Sequence, residues 1–112
     1  MTATYLDAIV RHHRDRAAND SRSLADLAQA VDQVPQPRGF ISAIRNTSVK
    51  HLAVISEIKR RSPSKGDLNP NLDPASLALT YELAGASCIS VLTDGPHFGG
   101  SVADLQSARA AV

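Results

Sequence analysis

Leu52-Ala53-Val54-Ile55-Ser56-Glu57-Ile58 and Ala86-Ser87-Cys88-Ile89-Ser90-Val91-Leu92-Thr93 are the two stretches on which the fold turns. Each is a short apolar run with β-branched residues bounded by turn-formers, the pattern of buried strands. Between them stands Asp73-Pro74, an N-cap with proline at the first helical position, and then Leu77, Ala78, Tyr81 and Ala84 as an apolar stripe ending at Gly85. That spacing predicts a helix of about three turns. Strand, helix, strand in this order implies parallel strands joined by a right-handed crossover, because no hairpin can join a parallel pair. After the loop Asp94-Gly95-Pro96-His97-Phe98-Gly99-Gly100, Ser101 and Asp104 signal another helix, with Val102, Leu105 and Val112 able to face inward.

Upstream the pattern is helical. Thr4 and Asp7 form a start signal, and Leu6, Ile9, Val10, His13 and Ala17 give a one-sided stripe over roughly residues 5 to 18. Ser23 and Asp26 repeat the signal ahead of Leu24, Leu27, Ala28 and Val31, until Pro35-Gln36-Pro37-Arg38-Gly39 breaks the helix. Phe40, Ile41 and Ile44 predict one or two further turns before the polar run Arg45-Asn46-Thr47-Ser48. The expected organisation is a helical extension over 1–50 and two βα units over 51–112. Parallel sheets need both faces covered, and a closed (β/α)8 barrel takes roughly 250 residues, so the fold expected is α/β, the N-terminal part of such a barrel and an incomplete domain.

Composition narrows the function classes. The chain has 112 residues, 43% hydrophobic against 21% charged, which is globular and too apolar for a disordered tail. A net charge of +1 offers no global field to draw it onto nucleic acid or an anionic membrane. Two Tyr, two Phe and no Trp leave few rings for base stacking, and no apolar run approaches the ~20 residues of a membrane-spanning helix. Neither nucleic acid nor membrane is expected as a partner. Cys88 is the only cysteine, which excludes an intrachain disulfide and Cys-based zinc sites of the four-ligand kind. The start Met1-Thr2-Ala3-Thr4-Tyr5-Leu6-Asp7 lacks the basic and apolar regions of a signal peptide, so the expected location is cytoplasmic.

Candidate chemistry collects at the end of the first strand. Alternation puts Ala53, Ile55, Glu57 and Lys59 on one face, with the charges at the C-terminal end, where βα barrels gather catalytic side chains. A salt-bridged strand-end pair is the plain alternative. Lys59-Arg60-Arg61-Ser62-Pro63-Ser64-Lys65-Gly66 has the composition to hold a phosphate or carboxylate, or equally to be a solvated basic loop. It is not a Walker loop, because Lys65 precedes the glycine. Cys88 reads as an inert core thiol and His12-His13-Arg14 as a solvated helix face. His51 reads as structural, and His97, beside Phe98, is open to substrate contact.

The run Val54 to Gly66 closely resembles the first-strand signature of the indole-3-glycerol phosphate synthase family. Asp73-Pro74, Tyr81-Glu82-Leu83-Ala84-Gly85-Ala86, Ile89-Ser90-Val91-Leu92-Thr93-Asp94 and Phe98-Gly99-Gly100-Ser101 with Asp104-Leu105 are similar to that family's first helix, second strand and following loop, in order and spacing. Tyr5-Leu6-Asp7-x-Ile9-Val10 is similar to the helical segment the family adds before its TIM barrel. The resemblance implies a tryptophan-pathway lyase that closes and decarboxylates 1-(2-carboxyphenylamino)-1-deoxyribulose 5-phosphate to indole-3-glycerol phosphate, CO2 and water. It implies a phosphorylated small-molecule substrate, no metal and no organic cofactor. Glu57 and Lys59 would belong to the catalytic network, Ser62 would line the substrate pocket, and Phe98 would pack on the anthranilate ring. The family's general-acid lysine lies on the third strand, its general-base glutamate on the fifth, and its phosphate cradle in the last two βα loops. None of these is in the chain, which is therefore expected to be inactive alone. The competing reading is a noncatalytic truncated or decayed fragment that needs a complementing C-terminal half or self-associates. A different phosphate-binding barrel is disfavoured by Glu57-x-Lys59-x-x-Ser62-Pro63.

Overall fold

A computed structural model describes residues 2–112. The chain clusters into two compact units divided between Arg38 and Gly39, inside the Pro/Gly stretch that interrupts the helical pattern. The first unit contains α1 (Tyr5–Ala18) and α2 (Leu24–Val31). Thr4 starts α1 through a closed capping box: its hydroxyl accepts the Asp7 N–H at 3.2 Å and the Asp7 carboxylate accepts the Thr4 N–H at 2.7 Å. Ser23 starts α2 by accepting the Asp26 N–H at 3.0 Å.

The second unit runs through α3 (Phe40–Ser48), β1 (Ile55–Ile58), β2 (Arg61–Ser62), β3 (Gly66–Asp67), α4 (Pro74–Leu83), β4 (Cys88–Val91), α5 (Gly95–Phe98) and α6 (Val102–Ala111). β1 and β4 pair in parallel, with Ile55 opposite Cys88, Glu57 opposite Ser90 and Ile58 opposite Val91. The Ser87 N–H to Val54 carbonyl bond (2.9 Å) and the Leu92 N–H to Ile58 carbonyl bond (3.1 Å) extend the ladder at both ends.

Strand alternation decides what is buried. Ile58, 1% exposed, points into the helix layer and forms a core with Leu72, Ala78 and Ala108, against which Leu77, Tyr81, Ile89, Val91 and Val112 pack. Ala78 and Ala108 are small enough to let α4 and α6 pack closely over the strands. Ile55 and Glu57 lie on the other face, which is exposed. α3 packs on β4, where the Cys88 thiol meets the Phe40 carbonyl at 3.5 Å; the thiol is half-buried rather than sealed in a core.

Val102 and Leu105, expected to face inward, are exposed, and Ala108 takes the buried position on α6. Three local features also differ from the sequence expectation. α3 continues through Arg45-Asn46-Thr47-Ser48, because the Thr47 hydroxyl donates to the Ala43 carbonyl and the Ser48 hydroxyl to the Arg45 carbonyl, each at 2.9 Å. Hydroxyls satisfied by carbonyls of their own helix no longer compete with it. The stretch after β1 is an antiparallel β2–β3 hairpin, with Arg61 opposite Asp67 and Ser62 opposite Gly66. Gly66 takes the left-handed backbone (φ +71°) that this tight turn requires. The loop after β4 contains α5, a single turn capped by the Asp94 side chain, which accepts the His97 N–H at 2.8 Å.

Candidate functional site

Because β1 and β4 are parallel, their C-terminal ends share one edge of the sheet, and the polypeptide that leaves each end forms the candidate site. Glu57 and Lys59 meet there, with Nζ to Oε1 at 2.7 Å and both side chains partly exposed. Alternation predicts one shared face for the two, and the short pair distance requires it. From α4 the Tyr81 hydroxyl donates to the Glu57 carbonyl at 3.2 Å, anchoring the strand backbone beneath the pair.

Ser62 lies on β2, where its hydroxyl oxygen accepts the Lys65 N–H at 3.2 Å across the hairpin turn. As the acceptor in that bond, it retains its O–H hydrogen for donation. Phe98 is the last residue of α5 and half-buried, and α5 packs against β2. The elements that carry Ser62 and Phe98 are thus neighbours at the edge that carries Glu57 and Lys59. His97, beside Phe98, has Nδ1 3.3 Å from the Asp94 carboxylate oxygen that caps α5.

The two arginines after the pair diverge. Arg60 turns toward the helix layer and forks onto Asp104, Nε to Oδ2 at 2.8 Å and Nη2 to Oδ1 at 2.9 Å. Its Nη1 donates to the carbonyls of Pro70 (2.7 Å) and Leu72 (2.9 Å), so one guanidinium ties the end of β1 to the β3–α4 segment and to α6. Arg61 turns the other way and donates to the carbonyls of Gly95 and Pro96 on α5. Read as composition, this loop could hold an external anion. In the structure Arg60 and Arg61 are engaged with acceptors of the protein itself, and Lys59 is paired with Glu57. Sequence reasoning missed both arginine roles. Asp104 carried only a helix-start signal, and nothing local links it to a residue 44 positions away.

The Arg60–Asp104 pair has a measurable consequence. The Arg60 guanidinium holds the Asp104 carboxyl below the usual carboxylate range, more than offsetting the partial burial that would raise it. A depressed folded pKa means the unfolded chain takes up protons first as pH falls. The stabilisation is therefore fully present above the ordinary carboxylate pKa of about 4 and disappears as pH drops below it. Asp104→Asn is expected to cost about 1–3 kcal/mol at pH 7, since it leaves a half-buried guanidinium without its counter-charge. Urea midpoints of the two proteins should draw together in the window below about pH 4. Asp7 and Asp73 are also held below the usual range, so the readout is the difference between wild type and variant. A gap that stays constant through that window would contradict the assignment.

A parallel β–α–β unit with charged groups at its strand ends and tight turns beyond them is the layout of α/β proteins assembled from repeated βα units. The family model for indole-3-glycerol phosphate synthase matches residues 6–112, and the chain belongs to that family, whose fold is the TIM barrel. The chain is 49% identical over 112 residues to the indole-3-glycerol phosphate synthase of Hyphomonas neptunium, an alignment covering 97% of the chain and 42% of that protein. It is 53% identical over 90 residues to the enzyme of that name from a Parafrankia species, covering 80% of the chain and 32% of the relative. For Aromatoleum aromaticum the identity is 47% over 109 residues, covering 95% and 42%. The chain thus spans about two fifths or less of the length of these relatives.

Proposed function

We propose that this chain supplies the helical extension and the first two βα units of a TIM-barrel indole-3-glycerol phosphate synthase, and that it acts only when the remaining strands are joined to it. The observation that carries this reading is the Glu57–Lys59 pair, 2.7 Å apart on the exposed face at the C-terminal end of β1. A barrel turns that face and that edge toward its substrate. In the proposed reaction a ring carbon of the anthranilate attacks the ribulose carbonyl, the ring carboxylate leaves as CO2, and the resulting hydroxyl leaves as water to complete the indole. Lys59 supplies positive charge beside the substrate's anionic groups, and Glu57 holds its ammonium in place and passes protons. Ser62 donates its hydroxyl hydrogen to the substrate, and Phe98 packs against the aryl ring.

The partner in this proposal is a C-terminal half carrying the later strands. Relatives that extend well beyond the matched region support it, as do the exposed Val54 just before β1, Ile55 on β1, and Leu79, Leu83, Val102 and Leu105 on α4 and α6. The test is a chimera in which this chain replaces the matching portion of the Hyphomonas neptunium relative, assayed by the fluorescence of indole-glycerol product. The chain alone is expected to give no turnover and the chimera to give turnover. A folded chimera without activity would favour the noncatalytic reading and remove this one.

A further inference from the structure

We propose that Arg61 is a positioning residue that holds Phe98 at the strand-end site by clamping α5 onto β2. α5 is a single turn of four residues, too short to persist by its own hydrogen bonding. Its local bonds include the Gly99 N–H to the Gly95 carbonyl at 2.9 Å, the Gly100 N–H to the Asp94 carbonyl at 2.9 Å, and the Asp94 cap on His97. These close the turn on itself but do not tie it to the polypeptide leaving β1. Arg61 does, since its Nη2 donates to the carbonyls of Gly95 (3.4 Å) and Pro96.

The contact has an apolar half. The Arg61 stem lies along Gly99, where an added Cβ would come within 3.3 Å of both Cγ and Cδ. Gly99 also has φ +64°, so the left-handed cap and the packing of the stem both favour glycine there. At its other end Arg61 is held in the hairpin, opposite Asp67 and next to Ser62. The guanidinium thus joins a backbone fixed by one loop to carbonyls of the next, and Phe98 lies within three residues of both acceptors. Both bonds leave one nitrogen, Nη2, whose two N–H groups the planar guanidinium holds in fixed directions, a geometry the freely rotating lysine ammonium lacks. The inference that the clamp serves substrate binding rests on the proposed function, whereas the clamp itself does not.

The test uses the two phenylalanines of the sequence, Phe40 and Phe98, as paired reporters. Global incorporation of 4-fluorophenylalanine yields two 19F resonances, assigned with Phe40→Leu. In Arg61→Ala the Phe98 resonance is expected to move to the unfolded-chain position, and amide exchange at His97 and Gly99 to rise about 10-fold or more. The Phe40 resonance and the Leu92 amide, which is bonded within the β1–β4 ladder, should stay unchanged. Arg61→Lys should restore part of both signals. Unchanged Phe98 and Gly99 signals in Arg61→Ala would overturn the clamp. Movement of both resonances with loss of Leu92 protection would make Arg61 a general prop of the fold and overturn the positioning role. In the chimera, Arg61→Ala should raise KM about 10-fold with kcat within about 3-fold, and an unchanged KM would overturn the substrate half of the inference. A chimera inactive with Arg61 in place would count against the proposed function instead, and the 19F and exchange results would still decide the clamp.

Discussion

Lys59→Ala, placed in the chimera described above, is expected to lower turnover by about 10²- to 10⁴-fold, the range for removing a charged group that acts on the reacting atoms. The same substitution should barely change stability. Lys59 and Glu57 pair at 2.7 Å, but both are partly exposed, and such pairs contribute about 0–1 kcal/mol to folding. The two readings of the pair therefore differ in turnover and not in stability: a structural ion pair leaves turnover intact, whereas a catalytic one loses it. Glu57→Gln keeps the shape and hydrogen-bonding reach of the side chain while removing its charge, and should give a smaller loss than Lys59→Ala. Turnover within about threefold of the parent in Lys59→Ala would end the assignment of this residue to the chemistry.

Gly100→Ala should be the most damaging of the glycine substitutions, lowering stability by about 3 kcal/mol or more. A Cβ at this position would lie 1.8 Å from the Leu92 carbonyl oxygen and 2.6 Å from its carbon, and neither is a flexible side-chain end that could yield. The chain after α5 passes directly against the end of β4, so the whole turn from Asp94 would have to move. Gly99→Ala meets a different obstacle. Its φ of +64° costs an L-residue about 1–2 kcal/mol, and the neighbouring atoms belong to the Arg61 side chain, which can shift by the few tenths of an ångström required. Gly66→Ala carries a backbone cost of the same kind, with no atom within 4 Å of the new Cβ. Urea unfolding of the three variants should therefore rank Gly100→Ala well below the other two. Equal midpoints would mean that the approach to Leu92 is not a constraint on the fold.

The elements with local causes were legible in the sequence. Thr4, Ser23, Asp73 and Ser101 each precede a helix by one residue, and each accepts a backbone N–H three residues on. A capping bond depends only on neighbouring residues, so its signal is carried within the segment itself. The same holds for the alternation of β1, which places Ile58 in the core and Glu57 with Lys59 on the open face. The helical extent of α3 was understated because a run of Asn, Thr and Ser suggests a turn, and only the hydroxyl bonds back to Ala43 and Arg45 show how the helix accommodates it.

By itself the sequence determined the order of the longer helices and of β1 and β4, the parallel relation of those two strands, the face on which Glu57 and Lys59 lie, and the family; the β2–β3 hairpin and α5 it left as loops. What it determined follows from periodicity, caps and motif spacing, all of which are short-range properties of the chain. Only the tertiary structure decided where two adjacent arginines go. Arg60 reaches Asp104 across 44 positions and Arg61 reaches Pro96 across 35, in opposite directions from the same strand end. A cation's charge carries no information about which distant acceptor it will meet. That choice is made when packing of α4 and α6 over the strands, and closure of the turn against Leu92, bring carboxylate and carbonyl oxygens within hydrogen-bonding reach.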